Sequence, residues 1–557
     1  MLRARRWPAL VCSRRQSSSS ATHGRITSPS LCRDVLDRLA PTLHQHRGCN
    51  LINIKPGGGP WTAQLVEALQ PSIHIEVGTP DRRRSHEDED DSNTNTTICQ
   101  HAGSLRDCFD PSRKLLSPHV LAASNGGYTT PNNDLLVVAN LSGTAMSTAR
   151  FLGSPAAFFF NDLYAALFGL RDDIFRHGLV RVLAWLPEPV LRVLMPRGVE
   201  PRSKQSIKLE AAFSITQVAG AARGSLPGQE KRWPALEAEN YSAVQAEAGQ
   251  TPANRREVPP LPMLTSLPPD PVVLRKSQYT TGASFVDDWL RLDAELRDEY
   301  ADWFATRAYE AHPPRSGPRE DRKLNEWRKY YSRAKTLHTR YQKILSAVNK
   351  QRAVDAKYHA LFSKHRPPTI NRLQSVHNAA AQASAALQSL SREAQIQAKK
   401  AIDDYRAYDS SPRALEWNKR TVDPLVVQAS EFKPKHPLAL VVLTPRPSFR
   451  TSLDTDSKVT CFDYVLNRLS TRLSSSVGEA MQRLIHGPAK DFIETVPSLT
   501  DPVRGGSLDP ANVRMRSLPA STFVDIAVAY EKWPLRPSTT RMLLEMTKQS
   551  TFLPDHD

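Results

Sequence analysis

The sequence predicts a doubly wound α/β fold, and three observations carry that expectation. An aliphatic run leads into a glycine-rich turn, a helical stretch and a second strand. An acid closes that second strand. Further along, another aliphatic strand ends in Asn140-Leu141, at the carboxyl end where open α/β sheets bind their ligands.

Taken in order, the chain opens with Arg3, Arg5, Arg6, Arg14, Arg15 and Arg25, a serine run from Ser17 to Ser20, and no acid before Asp34. An arginine-rich, serine-rich, acid-free start is the signature of a mitochondrial transit peptide, here residues 1–25, and it implies the mitochondrial matrix. The alternative is a disordered basic arm. Leu51-Ile52-Asn53-Ile54 then reads as a strand, Lys55-Pro56-Gly57-Gly58-Gly59-Pro60 as the turn, and Trp61, Leu65 and Leu69, four apart, as the buried face of a helix. Glycines at such a turn let a nucleotide-like ligand approach the backbone, because a Cβ would collide with it. Ile73-His74-Ile75 is the second strand, and Glu76, 19 positions past Gly57, is placed to receive ribose hydroxyls. Asp134 to Ala139 is a buried strand that delivers Asn140 to the same crevice as Gly57 and Glu76.

With 557 residues the chain is too long for one core, so two or more domains are expected. A net charge of +17 favours polyanionic partners, against the bland alternative of an ordinary basic organellar protein. No apolar run reaches the roughly 18 residues of a membrane span, so no membrane insertion is expected. The six cysteines show no CxxC spacing, the 16 histidines no metal-ligand spacing, and GxSxG, HExxH and Walker motifs are absent, so no metal site is expected.

The pattern of strand, PGGG turn, helix, strand and acid, then a strand ending Asn140-Leu141, resembles the rRNA adenine N6-dimethyltransferase family. Phe432-Lys433-Pro434 before the strand Leu438–Leu443 resembles that family's F-x-P segment and closing strand. The stretch from Phe462 to Trp533-Pro534-Leu535-Arg536-Pro537 resembles its small helical domain. Asp34 to Leu39 and Ala184-Trp185-Leu186-Pro187 resemble the mitochondrial transcription factor B branch, whose members act as transcription initiation factors. The resemblance covers about 26–220 and 420–540. It implies a Rossmann-like S-adenosylmethionine-dependent methyltransferase fold with a helical insertion and a small all-α carboxyl-terminal domain. The implied organisation is 26–220 for the methyltransferase-like domain, 221–280 for a proline-rich linker, 281–415 for a basic helical insertion, 416–447 for the closing segment of the sheet, and 448–557 for the terminal helical domain.

The same resemblance assigns Lys55, Gly57, Gly59, Glu76 and Asn140 to the S-adenosyl-L-methionine site, with binding weak or lost. Active members carry Pro and an aromatic residue where this chain has Ser142-Gly143. The aromatic ring stacks on the extruded adenine, a contact worth about 1–3 kcal/mol. Asn53 stands for the usual acid, Lys55 for a glycine, and Thr97 to Gly103 lacks the aspartate for the adenine amino group. Asn140 and Leu141 are therefore vestiges of a catalytic corner, and no catalytic residue is assigned.

The insertion is read from its own residues. Seven prolines between Pro252 and Pro271 mark an extended linker. Phe285, Trp289, Leu292, Leu296, Tyr300 and Phe304 predict one amphipathic helix, and Leu324, Trp327, Tyr331, Ala334, His338, Tyr341, Leu345 and Val348 a second, packed with it as a hairpin. Arg328, Lys329, Arg333, Lys335, Arg340 and Lys343 on the second helix predict a nucleic-acid face, with a solvated face as the alternative. Leu387 to Tyr405 reads as a third, alanine-rich helix without chemistry. Three functions follow from these readings. One is an initiation factor that helps the mitochondrial RNA polymerase recognise and melt promoter DNA; another is an active dimethyltransferase of mitochondrial small-subunit rRNA; the third is a structural ribosome-associated protein. Each is expected to act as a monomer.

Overall fold

A computed structural model of the chain describes residues 24–56, 59–78, 98–102, 104–110, 112–117, 120, 130–142, 155–168, 174–221, 233–248, 256, 285–306, 321–362, 368–485 and 487–551. Strands and helices in chain order are β1 (Arg25–Ile26), α1 (Pro29–Leu43), β2 (Asn50–Ile54), α2 (Pro60–Leu69), β3 (Ile73–Val77), β4 (Ile98–Ala102), α3 (Leu105–Cys108), β5 (Pro131–Asn140), α4 (Pro155–Ala166), β6 (Leu179–Pro187), α5 (Glu188–Leu194), α6 (Lys204–Ala212) and β7 (Phe213–Ala221). The insertion adds α7 (Pro234–Ala248), α8 (Phe285–Leu296), α9 (Ala301–Ala305), α10 (Asp321–Phe362), α11 (Ile370–Gln388) and α12 (Arg392–Asp409). Three strands follow, the short β8 (Leu425–Val427) and β9 (Phe432–Lys433) and the longer β10 (Leu438–Pro445), and then the terminal helices from Pro447 to Thr551.

Eight strands form one sheet in the order β4-β3-β2-β5-β6-β10-β7-β8. The first five are mutually parallel, and β10 runs antiparallel between β6 and β7. The chain builds outward from β2 to β4, then crosses back to β5, so the order reverses between β2 and β5. That reversal opens a crevice at the carboxyl ends of both strands. All five residues of β2 are buried, as in a sheet covered on both faces. Period-two alternation divides the strands between two cores. Ile52, Ile75, Val137 and Val182 face one core, which continues into Phe462, Phe492 and Phe523 of the terminal helices. Leu51, Leu136, Val138 and Leu183 face the other, under α1 and α2. The Rossmann-like α/β fold expected from the sequence is present, and its terminal helices complete the sheet's core.

Several sequence expectations are corrected. Gly24 and Arg25, assigned to a transit peptide ending at 25, belong to the folded body: β1 pairs with Lys433 and Phe432 of β9. The rest of that leader lies outside the described residues, as do most of the prolines of the 221–280 linker. The described part of that linker, Pro234–Ala248, is a helix. The helix expected through Phe304 stops at Leu296 and restarts at Ala301. The stretch from Leu387 to Tyr405 is split, because Ser391 caps a new helix by accepting from the Ala394 amide, so α12 starts independently of α11.

The expected two-helix hairpin is only half present. Trp289, Leu292 and Leu296 pack on Trp327, Tyr331 and Ala334, with the ring centroids of Trp289 and Trp327 5.7 Å apart. Further along α10, Ile344 and Val348 pack instead against Leu236 and the alanines of α12, and Tyr341 stacks on Trp233 at 4.9 Å. One heptad seam therefore serves two partners. That sharing fits the length of α10, about 63 Å at 1.5 Å per residue for 42 residues.

Ion pairs lock the insertion to the rest. Asp403 of α12, 2% exposed, accepts from Arg516 at 2.7 and 2.8 Å. The Arg516 carbonyl accepts from Arg202, which is itself paired with buried Glu210 of α6 at 2.6 Å. Asp404 accepts from the Val199 amide at 2.9 Å. The alanine-rich helix, read as devoid of chemistry, carries the acids that join three parts of the chain.

Candidate functional site: the crevice between β2 and β5

Register places the crevice residues side by side. Ile54 pairs with Ala139 across β2 and β5, and Asn53 with Glu76 across β2 and β3, so Lys55, Glu76 and Asn140 meet at the carboxyl edge. Gly59 caps α2 in a conformation open only to glycine, φ +100 and ψ −173. Lys55 is left-handed, φ 51, and holds its amide on the Val77 carbonyl at 2.7 Å. A non-glycine residue there costs about 1–2 kcal/mol. Gly57 and Gly143 lie outside the described residues.

The described crevice is filled by the chain itself. Asn140 Nδ2 donates to the Gly24 carbonyl at 2.9 Å, and the Gly24 amide donates to Ser142 Oγ at 2.7 Å. Ser142 Oγ in turn donates to Asn140 Oδ1 at 2.5 Å, and the Ser142 amide to the same oxygen at 3.2 Å. This closed ring consumes both ends of the Asn140 amide. At Gly59 the space a side chain would need is also taken: a Cβ there would lie 2.7 Å from the Ile26 carbonyl oxygen and 2.9 Å from Arg25 Nε. β1 is held in turn by β9 and by a hydrogen bond from the Thr27 amide to the Glu431 carbonyl at 2.9 Å.

The described residues of this set leave a methyl donor no open place. The glycine face that would admit its backbone approach carries β1, the corner amide is engaged, and β4 supplies no acid from Ile98 to Ala102. Asn53, at the place of the family's acid, is buried and donates to Thr62 Oγ1 of α2 at 3.3 Å, a structural bond. Among the described residues, Glu76 keeps a ribose-type position. Leu141 is 5% exposed and packs in the core, with its amide on the Trp185 carbonyl at 2.8 Å. Beneath the turn, Trp61 meets Trp185 edge-on at 5.5 Å and Trp185 meets Phe432 at 6.0 Å. The Ser142–Gly24 bond escaped sequence reasoning, since nothing local pairs positions 118 apart; a hydroxyl in place of the family's proline was the available signal.

The basic residues of α10 separate into two groups. Arg328 turns onto the Trp303 ring at 5.3 Å and donates to Asn325 at 3.4 Å, and Arg340 pairs with Glu393 at 2.9 Å. Both have partners within the chain, Arg340 in a surface ion pair whose acid is itself exposed. Lys329, Arg333, Lys335 and Lys343 are exposed. The aromatic residues Trp327, Tyr331 and Tyr341 are buried in the seam.

Among the described residues no group of three or more His, Cys, Asp or Glu is placed to hold a metal ion, and no helix is long and apolar enough to cross a membrane. Burial pushes the thiols of Cys32, Cys49 and Cys108 up to about 12, so they are poor nucleophiles.

No protein-family model and no curated protein matches the chain. Among solved structures, a dimethyladenosine transferase from Plasmodium falciparum aligns over 94% of this chain and 98% of its own, at 8% sequence identity and a TM-score of 0.32. An overlap that loose transfers no residue role from one chain to the other.

Proposed function

We propose that the chain is a mitochondrial transcription initiation factor: a degenerate adenine dimethyltransferase scaffold that assists the mitochondrial RNA polymerase in recognising and melting promoter DNA. One observation carries this reading, the ring of hydrogen bonds that spends Asn140 and Ser142 on Gly24. An amide oxygen that already accepts from both the Ser142 hydroxyl and the Ser142 amide has no lone pair left for the exocyclic amine of an extruded adenine, which favours binding over methyl transfer. Promoter opening exposes unstacked bases, and a groove suited to single-stranded RNA loops suits them as well. The net charge of +17 supports a polyanionic partner.

The test is run-off transcription from a linear promoter by the cognate mitochondrial RNA polymerase, with and without the protein. Initiation that depends on the protein is expected, together with no methyl incorporation into unmodified small-subunit rRNA. Methylation of adjacent adenines with no effect on transcription would establish the enzyme reading instead.

A further inference from the structure

We propose that the outer face of α10 is a docking surface for the sugar–phosphate backbone of duplex nucleic acid, recognised by charge and not by base identity. The proposal rests on the binding-protein reading above and extends it to a face outside the crevice.

Arg322, Lys329, Lys343 and Lys350 recur at multiples of seven residues, a spacing that drifts by only about 20° per heptad, so they stay on one side of the helix as a slowly winding stripe. Arg333, four residues after Lys329, widens it. From Arg322 to Lys350 the stripe runs about 42 Å, the length of roughly a dozen base pairs. All five side chains are exposed, on the face opposite the buried Trp327, Tyr331 and His338.

An ordinary solvated helix face intersperses both signs of charge. Here the exposed positions from 322 to 350 hold seven Lys or Arg and one acid, Glu326; every other exposed position is Ser, Thr, Asn or Gln. Hydroxyls and amides of that kind bind phosphate oxygens. Among the described residues, acids approach α10 at its flanks, where Glu295 takes Lys323 and Glu393 takes Arg340. No exposed aromatic residue lies along it, and single-strand platforms stack bases on such rings. The surface therefore fits a paired helix whose bases are already stacked.

The experiment uses the full chain and a 30-base-pair duplex of arbitrary sequence, beside one of its strands alone, by fluorescence anisotropy at several salt concentrations. Replacing Arg322, Lys329, Arg333, Lys343 and Lys350 by Gln is expected to weaken duplex binding roughly a hundredfold at low salt and to flatten the log–log salt slope by as much as about 4.5. The single strand should lose far less. Glu326→Gln, a milder change, should tighten duplex binding several-fold.

A five-site variant with unchanged melting temperature and unchanged duplex affinity overturns the proposal, as does an equal loss for both ligands or no duplex binding by the unaltered chain. If the five-site variant does not fold, an unchanged duplex affinity in Glu326→Lys overturns it equally. Run-off transcription separates the two readings. Stripe-dependent duplex binding without initiation sinks the function proposed above and leaves this inference standing; initiation with stripe-independent duplex binding does the reverse.

Discussion

Asn140 and Ser142 illustrate how a few substitutions redirect a site. The amide sits where a reacting corner of this type requires it, at the end of β5 beside the glycine turn, yet each of its hydrogen-bonding ends is engaged by residues 24 and 142. Asn140→Ala removes the donor to Gly24 and the acceptor for Ser142, and should destabilise the chain by about 1–3 kcal/mol in urea unfolding. Calorimetric titration with S-adenosylmethionine should give no saturable heat for the unaltered protein; micromolar binding would disprove the reading of the crevice as filled. His46 is a second sensitive residue. Burial, the dominant cause, lowers its pKa from 6.5 to about 4, while its Nδ1 keeps 2.8 Å contact with the Asn133 carbonyl. The unfolded chain thus binds the proton first as pH falls. Stability is full above about 6.5 and is lost between 6.5 and 4, by about 3 kcal/mol at the lower limit. Unfolding midpoints at pH 7 and 4.5 should differ in that sense, and His46→Gln should remove most of the difference.

Among the elements, α10 is the one whose role depends on its length. Its first half is held by α8 and α9 through a cluster of Trp289, Trp303, Phe304, Trp327 and Tyr331, and its second half by α7, α12 and, through Val354 and Tyr358, α11. Trp327 also donates from Nε1 to Asp293 at 2.8 Å. Trp327→Ala should cost about 3–5 kcal/mol. Because that cluster is separate from the sheet's two cores, hydrogen exchange should accelerate in 285–306 and 321–340 and leave β2, β5 and β6 protected. Uniform acceleration throughout the chain would show that the arm is not an independent unit. Sequence periodicity located the seam of α10 correctly; it could not say that two different neighbours share it, because a heptad records which face is apolar and not what covers it.

Taken as a whole molecule, the chain is tied together by buried charge. Asp403 holds Arg516, whose carbonyl holds Arg202, whose guanidinium holds Glu210, so insertion, terminal helices and sheet meet in one network. Asp403→Ala leaves Arg516 buried without its partner and should cost about 3–5 kcal/mol. Loss should be global: tryptophan fluorescence and circular dichroism should report one shifted urea transition, whereas two separated transitions would mean that the insertion unfolds alone. The network also explains why the 281–415 segment, read from sequence as an addition to the core, ends by contributing to it.

What could be read in one dimension was whatever depends on neighbours along the chain. The aliphatic strands, the glycine turn with its spaced acid, the Trp61-Leu65-Leu69 face and the α10 seam all rest on short-range periodicity and backbone stereochemistry, and these suffice for the sheet and its crevice. Other features needed the folded arrangement. Gly24 reaches Ser142 across 118 residues, Asp403 reaches Arg516 across 113, and Arg340 turns to Glu393 across 53, so none leaves a local trace. The physical reason is that hydrogen bonds and ion pairs between distant segments depend on which surfaces the packed core brings within 3 Å, and that is a property of the whole fold.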